Sequence, residues 1–264
     1  MQTASTPSST YLALREHQPL VQCITNYVSM DIAANVLNAS GASPAMVHDS
    51  REAGEFASIA AAVVVNIGTP SPPWVDGMLA AVTVARERAI PWVLDPVAVG
   101  ATSYRRETVR ALLAHEPTVI RGNPSEIRSL ALSTTEGKGV DSASTTSAAE
   151  EAAATLAQRT GAVVVATGGE DLVTDGERTF AVLGGDSRMP MITALGCALS
   201  ALVGTCCAVE TDPVAASTIA LAMFAAAGER AGERAEGPGS LRWRLLDELS
   251  TLAPEALAGR VERR

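Results

Sequence analysis

A run of five residues, Ala62–Asn66, constrains the fold of this chain most strongly. Its first four residues are Ala, Val, Val and Val, so the run is apolar without alternation. A short strand that is apolar on both faces is typical of a parallel sheet covered by helices on both sides. Similar runs occur at residues 20–24, 92–94, 118–120 and 162–166, and segments with helical spacing separate them. This alternation, from about residue 20 to 185, predicts an α/β fold with a mostly parallel central sheet flanked by helices on both faces.

The rest of the chain completes the predicted organisation. Asp175-Gly176 between two short apolar runs predicts a hairpin. Helices are expected at residues 213–227 and 241–252, separated by a Gly-rich break at 228–239 and followed by a charged tail. The apolar stretch 194–209 is too short to span a membrane and is predicted to be a buried core helix. Residues 134–146 are polar and predicted to be a surface loop.

The N-terminus is predicted to be disordered. Residues 1–10 are polar and rich in Ser, Thr and Pro, and they lack the basic-then-apolar order of a signal peptide. No repeat and no domain boundary is visible in the remainder. Residues 11–264 are therefore expected to form a single domain.

Charge and cysteine usage narrow the class of partner. The 264 residues carry a formal net charge of −9, which argues against nucleic acid or an anionic membrane surface as the main partner. Small anionic substrates stay compatible, because a binding site depends on local charge. The four cysteines, Cys23, Cys197, Cys206 and Cys207, show no C-x-x-C spacing. They are predicted to be reduced thiols of a cytoplasmic protein.

Polar residues recur where the predicted strands end. Asn26, Asp95, Arg121 and Thr167 each follow or close an apolar run. In parallel sheets, ligands bind beyond the carboxyl ends of the strands. Arg121 has the planar fork that clamps a phosphate, and the Thr167-Gly168-Gly169 turn offers a nucleotide a hydroxyl and backbone groups. These positions predict an anion-binding site at one edge of the sheet.

Two carboxylates near those strand ends, Asp95 and Glu126, are candidate ligands for Mg²⁺, directly or through water. Each also has a structural interpretation. Asp95 precedes a proline and is placed to cap a turn, while Asn123 and Glu126 have the spacing of a helix capping box. Arg121 is equally compatible with a surface ion pair. The sequence alone leaves these alternatives open.

The stretch from Met191 to Ala201 begins β-like and continues as a helix, with Gly196 and Cys197 at the junction. The first N–H groups of a helix have no internal partner, so such a turn binds anions when glycine allows close approach. A thiol there is expected to have a lowered pKa. The alternative is an ordinary helix start with a buried structural cysteine. Charge neutralisation, N–H donors and positioning are what phosphoryl transfer requires. The sequence contains no G-x-x-x-x-G-K-[S/T] motif, which excludes a Walker-type phosphate loop.

Taken together, the motifs resemble the hydroxyethylthiazole kinase family. They keep the family's order over roughly residues 19 to 210. They are Pro-Leu-Val-Gln-Cys-Ile-Thr-Asn-Tyr-Val at 19–28, Gly-Ala-Ser-Pro-Ala-Met at 41–46, Asn-Ile-Gly-Thr at 66–69, Leu-Asp-Pro-Val at 94–97 with Gly-Ala-Thr at 100–102, Ile-Arg-Gly-Asn at 120–123 with Glu126, Gly-Val-Asp-Ser at 139–142, Thr167-Gly168 and Gly196-Cys197.

The resemblance implies a ribokinase-like fold and an ATP-dependent kinase. Its substrate would be the hydroxyl of 4-methyl-5-(2-hydroxyethyl)thiazole, in thiamine biosynthesis and salvage, with Mg²⁺. It further implies a homotrimer with active sites at the subunit interfaces. By resemblance, Met46, Ala194 and Asn26 belong to the thiazole pocket, Arg121 and Thr167 contact ATP, and Asp95 and Glu126 serve the metal–phosphate region. Cys197 stands where many ribokinase-like relatives carry an aspartate base.

The chain departs from the family pattern beside that cysteine. The family usually reads Gly-Thr-Gly-Cys, and this chain reads Ala194-Leu195-Gly196-Cys197. Alanine keeps the backbone N–H, adds a methyl group and disfavours a positive φ, while leucine removes a hydroxyl. Cys197 is expected to position the substrate hydroxyl and accept its hydrogen bond, because a loose phosphoryl-transfer transition state asks little of a base.

Two other functions fit the same residues. One is a ribokinase-like kinase of another small heterocyclic alcohol, hydroxymethylpyrimidine or pyridoxal. The other is a non-catalytic ATP-binding trimer. The joint presence of Asp95, Arg121, Glu126 and Cys197 favours an enzyme over the second alternative.

Overall fold

The computed structural model describes residues 7–133 and 145–264. Nearly all of the predicted surface loop at 134–146 lies outside these residues, as does the Gly-Val-Asp-Ser motif at 139–142. The last two residues of the predicted loop begin a helix instead.

A single nine-stranded sheet runs through the described chain, in the order β2-β1-β3-β4-β5-β6-β7-β8-β9. The pairs from β2 to β6 are parallel, and the three pairs from β6 to β9 are antiparallel. The mostly parallel sheet predicted from the sequence is therefore confirmed. The strands are β1 Leu20–Ile24, β2 Ser43–Ala45, β3 Ala62–Asn66, β4 Trp92–Asp95, β5 Val119–Gly122, β6 Val163–Ala166, β7 Asp171–Thr174, β8 Thr179–Val182 and β9 Val261–Arg263.

Helices cover both faces of the sheet. They are α1 Pro7–His17, α2 Met30–Ser40, α3 Ala53–Ala57, α4 Pro72–Glu87, α5 Ser103–Leu113, α6 Pro124–Ser133, α7 Thr145–Thr160, α8 Leu195–Cys207, α9 Pro213–Arg234 and α10 Pro238–Ser250. Along β3, Val64 packs into one core with α1, α2, α8, α9 and α10, while Val63 and Val65 pack into the other with α3 to α7. The unbroken apolar run in β3 is thus explained by burial on both sides.

The predicted N-terminal tail is too long. Helix α1 begins at Pro7, so residues 7–10 belong to the fold, and residues 1–6 lie outside the described part. Thr10 is buried, and its hydroxyl donates to Glu210 at 2.9 Å. The Tyr11 hydroxyl donates to the backbone carbonyl of Leu252. The residues that hold this segment in place are 200 or more positions away in sequence. The local sequence pattern therefore could not predict that the segment is ordered.

The Gly-rich break predicted at 228–239 is also wrong over its first half. Helix α9 continues through Gly228 and Gly232 to Arg234. These glycines let the segment before α8 approach the helix: a Cβ on Gly232 would lie 2.0 Å from Asp186 Oδ2, and one on Gly228 would lie 2.4 Å from Met189 Sδ. The glycines serve packing rather than a turn.

Two apolar helices form the interior of one layer. Helix α8 is buried along most of its length, as predicted for residues 194–209. Helix α9 is long and apolar enough to cross a membrane by length and composition, but 83% of its apolar window is buried inside the protein. Both are core helices here.

Candidate active site

The carboxyl ends of the central parallel strands and the first turn of α8 meet at one edge of the sheet. Asn66 and Asp95 are paired in register at the ends of β3 and β4. Arg121 lies on β5, and Thr167 follows β6. Cys197 faces this edge from α8, because Asn26 after β1 donates a hydrogen bond to its sulfur. The fold thus brings together these six residues from distant parts of the chain.

Arg121 is the cation of this site. It is 9% exposed, so the surface ion pair considered from the sequence is wrong. One Nη donates to Thr167 Oγ1, and the other lies 3.9 Å from Asp95 Oδ2. A Cβ on Gly196 would lie 2.7 Å from Arg121 Nη1, so glycine is what allows the first turn of α8 to pack against the guanidinium. A guanidinium and a helix N-terminus therefore converge, which is a suitable arrangement for binding a phosphate.

Asp95 is a buried carboxylate beside that cation. Its side chain accepts a hydrogen bond of 2.7 Å from Ser200 Oγ on α8. Burial raises the pKa of Asp95 to about 6, although Arg121 and Ser200 oppose the shift and Glu126 adds to it. The carboxylate is thus ionised at neutral pH, but its negative charge is incompletely compensated by protein groups.

Glu126 has the structural role that the capping-box spacing indicated. Its Oε2 accepts from Asn123 N at 2.8 Å, while Asn123 Oδ1 accepts from the backbone N–H groups of Ser125 and Glu126. Its Oε1 accepts from Ala98 N at 2.8 Å and so ties the loop after β4 to the start of α6. Each carboxylate oxygen retains a further lone pair.

Cys197 and Asn26 lie on the side of the site that is predicted to bind the phosphoryl acceptor, called the acceptor side below. Asn26 Nδ2 donates to Cys197 Sγ at 3.4 Å and to Asn66 Oδ1 at 2.9 Å. Burial, followed by the charge of Asp95, raises the pKa of the Cys197 thiol, while the side chains of Asn26 and Asn66 and the Arg121 charge oppose the shift. The lowered pKa expected from the helix N-terminus is therefore wrong, because burial and the Asp95 charge together raise it.

The other cysteines have no place in the site. All four cysteines, which lie within the described residues, are free thiols. Cys23, Cys206 and Cys207 are buried in the core, whereas Cys197 is partly exposed. Only Cys197 is thus both accessible and close to the charged groups.

The two remaining predicted substrate residues flank this acceptor side. Ala194 is the N-cap of α8 and adopts φ +63° and ψ +11°, in the left-handed region. Met46 follows β2, the strand beside β1, and is partly buried against the core. Ala194 is three residues from Cys197 in sequence, and Met46 lies on the strand end next to the one that carries Asn26.

Three residues that support the site were not among the predicted site residues. Ser200 bonds Asp95 from one turn beyond Cys197, a spacing visible in the sequence. Asn66 closes an apolar strand, which is the same signal that indicated Asp95. Arg105 donates to the carbonyls of Ile67, Gly68 and Val97 and joins two strand-end turns. An arginine on a largely exposed helix gives no such signal.

Known proteins resemble the chain over nearly its whole length. A sequence model of the Hydroxyethylthiazole kinase family matches residues 12–255. A protein of Rhizobium johnstonii named hydroxyethylthiazole kinase is 54% identical over 261 residues, which cover 98% of each chain. One of Cereibacter sphaeroides with the same name is 56% identical over 249 residues, covering 94% of this chain and 95% of that protein.

Solved structures agree with this relationship. The structure of a hydroxyethylthiazole kinase protein from Pyrococcus horikoshii OT3 has a TM-score of 0.90 and 36% identity, with 98% of both chains covered. The pyridoxal kinase of Bacillus subtilis shares the fold at a TM-score of 0.60 and 21% identity, with 80% of this chain and 91% of that chain covered. The fold and the motifs therefore lead to the same result: the chain belongs to the hydroxyethylthiazole kinase family.

Proposed function

We propose that this protein transfers the γ-phosphoryl group of ATP to the hydroxyl of 4-methyl-5-(2-hydroxyethyl)thiazole, in thiamine biosynthesis. The observation that carries the proposal is the convergence of the buried Arg121 guanidinium with the N-terminal turn of α8, next to Cys197. A cation and oriented N–H groups at one point stabilise charge on a transferring phosphoryl group. The family's name supplies the identity of the acceptor.

On the nucleotide side, Arg121 and Thr167 are the proposed ATP contacts. Their mutual hydrogen bond fixes the guanidinium before any ligand arrives. Arg121 is buried and held at the first turn of α8, so little reorganisation is needed when phosphate oxygens bind. The role of these two residues is to orient the phosphates in line with the acceptor hydroxyl.

Asp95 and Glu126 are the proposed Mg²⁺ residues, and their environments fit a divalent cation. Asp95 is 1% exposed, and its raised pKa reflects a charge that Arg121 only partly compensates. Glu126 already accepts two backbone N–H groups, which suits contact through water better than direct coordination. The bound ion would supply neutralisation of the phosphate charge. Within the described residues, no three His, Cys, Asp or Glu side chains are placed to hold a metal ion together, so phosphate oxygens and water would complete the coordination.

On the acceptor side, Met46, Ala194 and Asn26 are the proposed thiazole contacts, and Cys197 receives the hydrogen bond of the hydroxyl. The pKa of Cys197 is raised, so the group at neutral pH is a thiol, which is a weak base. Positioning the hydroxyl is therefore its main task. The anion site and the metal supply most of the rate enhancement, because the transition state is loose.

The assembly and the location form a separate part of the proposal. We infer a homotrimer with active sites at subunit interfaces, located in the cytoplasm. Tyr27 is 66% exposed and Val28 is 58% exposed, and both follow Asn26 directly. Exposed apolar residues beside a site suit coverage by a neighbouring subunit.

One assay tests the activity and separates the alternatives. Purified protein is mixed with ATP, Mg²⁺ and one of several alcohols, namely the hydroxyethylthiazole, hydroxymethylpyrimidine or pyridoxal, and ADP release is followed. We expect release with the thiazole alcohol. Release only with one of the other two would identify a different acceptor. No release with any alcohol would contradict an enzymatic function and favour the non-catalytic ATP-binding trimer.

The role of Cys197 is tested by two substitutions in the same assay. Cys197→Ser is expected to leave measurable turnover, because a hydroxyl also accepts the hydrogen bond. Cys197→Asp is expected to retain or raise activity, since carboxylate bases act in related folds. If Cys197→Ser abolished turnover while ATP and the thiazole alcohol still bound, as measured by calorimetry, a positioning role would be wrong.

A further inference from the structure

Asn66, at the end of β3, is a buried amide at the centre of the acceptor side. It is 1% exposed and pairs in register with Asp95. Its Oδ1 accepts two hydrogen bonds of 2.9 Å, from Asn26 Nδ2 and from Gly68 N. These two donors fix which end of the Asn66 amide points toward the turn, and they direct Nδ2 to the opposite side.

The Nδ2 group of Asn66 is not used by the fold. It is buried and has no hydrogen-bond partner within residues 7–133 and 145–264. A buried donor without a partner destabilises the folded state. The Asn66 side chain lowers the pKa of both the Cys197 thiol and the Asp95 carboxyl, so these are groups on which it acts. A buried donor that the fold leaves unused is available to act on the reacting residues.

Asn26 is fixed as strictly as Asn66. Its Oδ1 accepts from the backbone N–H groups of Val28 and Ser29, at the start of α2. Its Nδ2 is shared between Asn66 Oδ1 and Cys197 Sγ. The orientation of Asn26 toward the sulfur is therefore set jointly by the start of α2 and by Asn66 Oδ1.

The turn after β3 is built to keep this pair together. A Cβ on Gly68 would lie 2.5 Å from Asn26 Nδ2, so glycine is needed for the approach. Arg105 donates to the carbonyls of Ile67 and Gly68, at 2.7 and 2.8 Å. The backbone that carries Asn66 is thus held independently of any ligand.

We propose that Asn66 is a positioning residue for phosphoryl transfer. With Asn26 it forms an amide pair that directs the Asn26 Nδ2 donor at Cys197 Sγ and holds the sulfur where the substrate hydroxyl can donate to it. The N–H donor on one lone pair of the sulfur fixes the orientation of the thiol and leaves the other lone pair for the substrate hydroxyl. This inference rests on the proposed function and adds to it the residue that organises Cys197.

A double-mutant cycle with Asn66→Ser and Cys197→Ala tests the coupling. Serine keeps a hydroxyl that accepts from Gly68 N, as in an ST turn, and removes the distal amide. With Cys197 present, Asn66→Ser is expected to lower kcat about tenfold, the effect of one lost hydrogen bond in the transition state, with KM for ATP within about threefold. In the Cys197→Ala background the same change is expected to alter kcat less than about threefold.

The matched control is Asn35→Ala, which removes an exposed amide bonded to Asp31 on α2. It is expected to leave kcat unchanged. Equal losses from Asn66→Ser in both backgrounds would overturn the inference, because Asn66 would then act on the fold or on Asp95 rather than through Cys197. Melting temperatures of all variants separate loss of folded protein from loss of catalysis.

A second measurement needs no turnover. The rate of Cys197 alkylation by iodoacetamide at pH 8 is measured without ligands, with the modified peptide identified by mass spectrometry. Asn66→Ser is expected to slow alkylation severalfold, while Asn35→Ala leaves it unchanged. A rate equal to or above that of the native protein would overturn the inference. If the native protein phosphorylated no thiazole alcohol, the proposed function would fail, and the alkylation result would still decide whether Asn66 organises the thiol.

Discussion

Ala194 holds a backbone conformation that an alanine adopts only at a cost. Its φ of +63° lies in the left-handed region, where the Cβ of an L-residue is crowded. The family pattern places glycine here, and the sequence indicated that alanine would disfavour a positive φ. The chain has nevertheless kept the turn, because the segments on both sides are fixed by the core and by α8. The strain is therefore local and removable.

Ala194→Gly is expected to stabilise the protein by about 0.5–1 kcal/mol. Relief of the left-handed strain, about 1–2 kcal/mol, exceeds the entropic cost of glycine, about 0.5–1 kcal/mol. Urea denaturation measures the change. Ala201→Gly, in the interior of the same helix, is the control and is expected to destabilise by at least about 1 kcal/mol. A loss of stability in Ala194→Gly would show that the methyl group contributes more packing than strain.

Asp95 makes the stability of the metal-free protein depend on pH. Its pKa is about 6 in the folded protein against an ordinary value of 3.8, so the folded state binds more protons between these values. The contribution of Asp95 to stability therefore falls as pH rises from about 4 to 6 and stays low above that.

Asp95→Asn removes the loss of stability that ionisation of the buried carboxyl causes. Its stability relative to the native protein is expected to rise by about 2 kcal/mol between pH 4.5 and pH 7.5 in the presence of a chelator. Urea unfolding at the two pH values gives the difference, and Asp76→Asn on α4, for which no such burial applies, is the control. A pH-independent difference would contradict the burial of an ionised Asp95. The variant is also expected to lose kinase activity.

The sequence was informative about single residues where a strand end located them. Asp95, Arg121 and Thr167 all lie at the predicted edge, because parallel strands end on the same side. The pKa of Cys197 could not be predicted in the same way. A helix N-terminus is visible in the sequence, but the burial that outweighs it depends on packing between α8 and the strand ends.

Among the secondary-structure elements, β1 and β3 have the bounds expected from the sequence, since burial on both faces makes them unmistakably apolar. Two elements were not predicted, α1 and β9. Strand β9, Val261–Arg263, is polar and forms because its backbone pairs with β8 at the edge of the sheet. Edge strands need few apolar residues, so composition suggested only a charged tail.

The glycines of α9 also show that local sequence does not reveal a contact with a distant segment. From the sequence alone, Gly228 and Gly232 suggest that the helix ends. In the structure they lie inside a continuous helix, because the segment 184–191 packs against them. Arg188 fastens this segment through the carbonyls of Gly232 and Ala235, at 2.6 and 2.7 Å. The segment leads directly to Ile192 and Ala194, so α9 supports the acceptor side of the site from a distance.

Gly232→Ala is expected to destabilise the protein by about 1–3 kcal/mol, the usual cost of overpacking. The new Cβ would lie 2.0 Å from Asp186 Oδ2, and Asp186 cannot move freely because Arg188 holds both its oxygens. Urea denaturation measures the loss. Gly239→Ala on α10 meets no atom within 4 Å and is expected to be neutral or slightly stabilising. If both variants behaved alike, the close approach to α9 would not contribute to stability.

At the scale of the whole molecule, the two hydrophobic cores on either side of the sheet are buried by residues of this chain alone. The site, by contrast, is bordered by exposed apolar residues. Asn26 and Cys197 are organised internally, whereas Tyr27 and Val28 extend outward beside them. The Tyr27 ring packs edge-on against Trp74 with a centroid separation of 4.6 Å, and so it is held in place although exposed. A rigid apolar surface at the rim of a site is suited to a subunit contact.

Sedimentation equilibrium tests the proposed assembly. We expect a mass of about 82 kDa, three times the 27.2 kDa of one chain. Val28→Asp is expected to shift the protein toward monomers and to raise KM for the thiazole alcohol, because a charge would be buried at the interface beside the pocket. Leu12→Asp, at an exposed apolar position on α1, is expected to leave mass and KM unchanged. A monomeric Val28→Asp variant with native KM would mean that the acceptor pocket is complete within one chain, and a monomeric native protein would contradict the trimer itself.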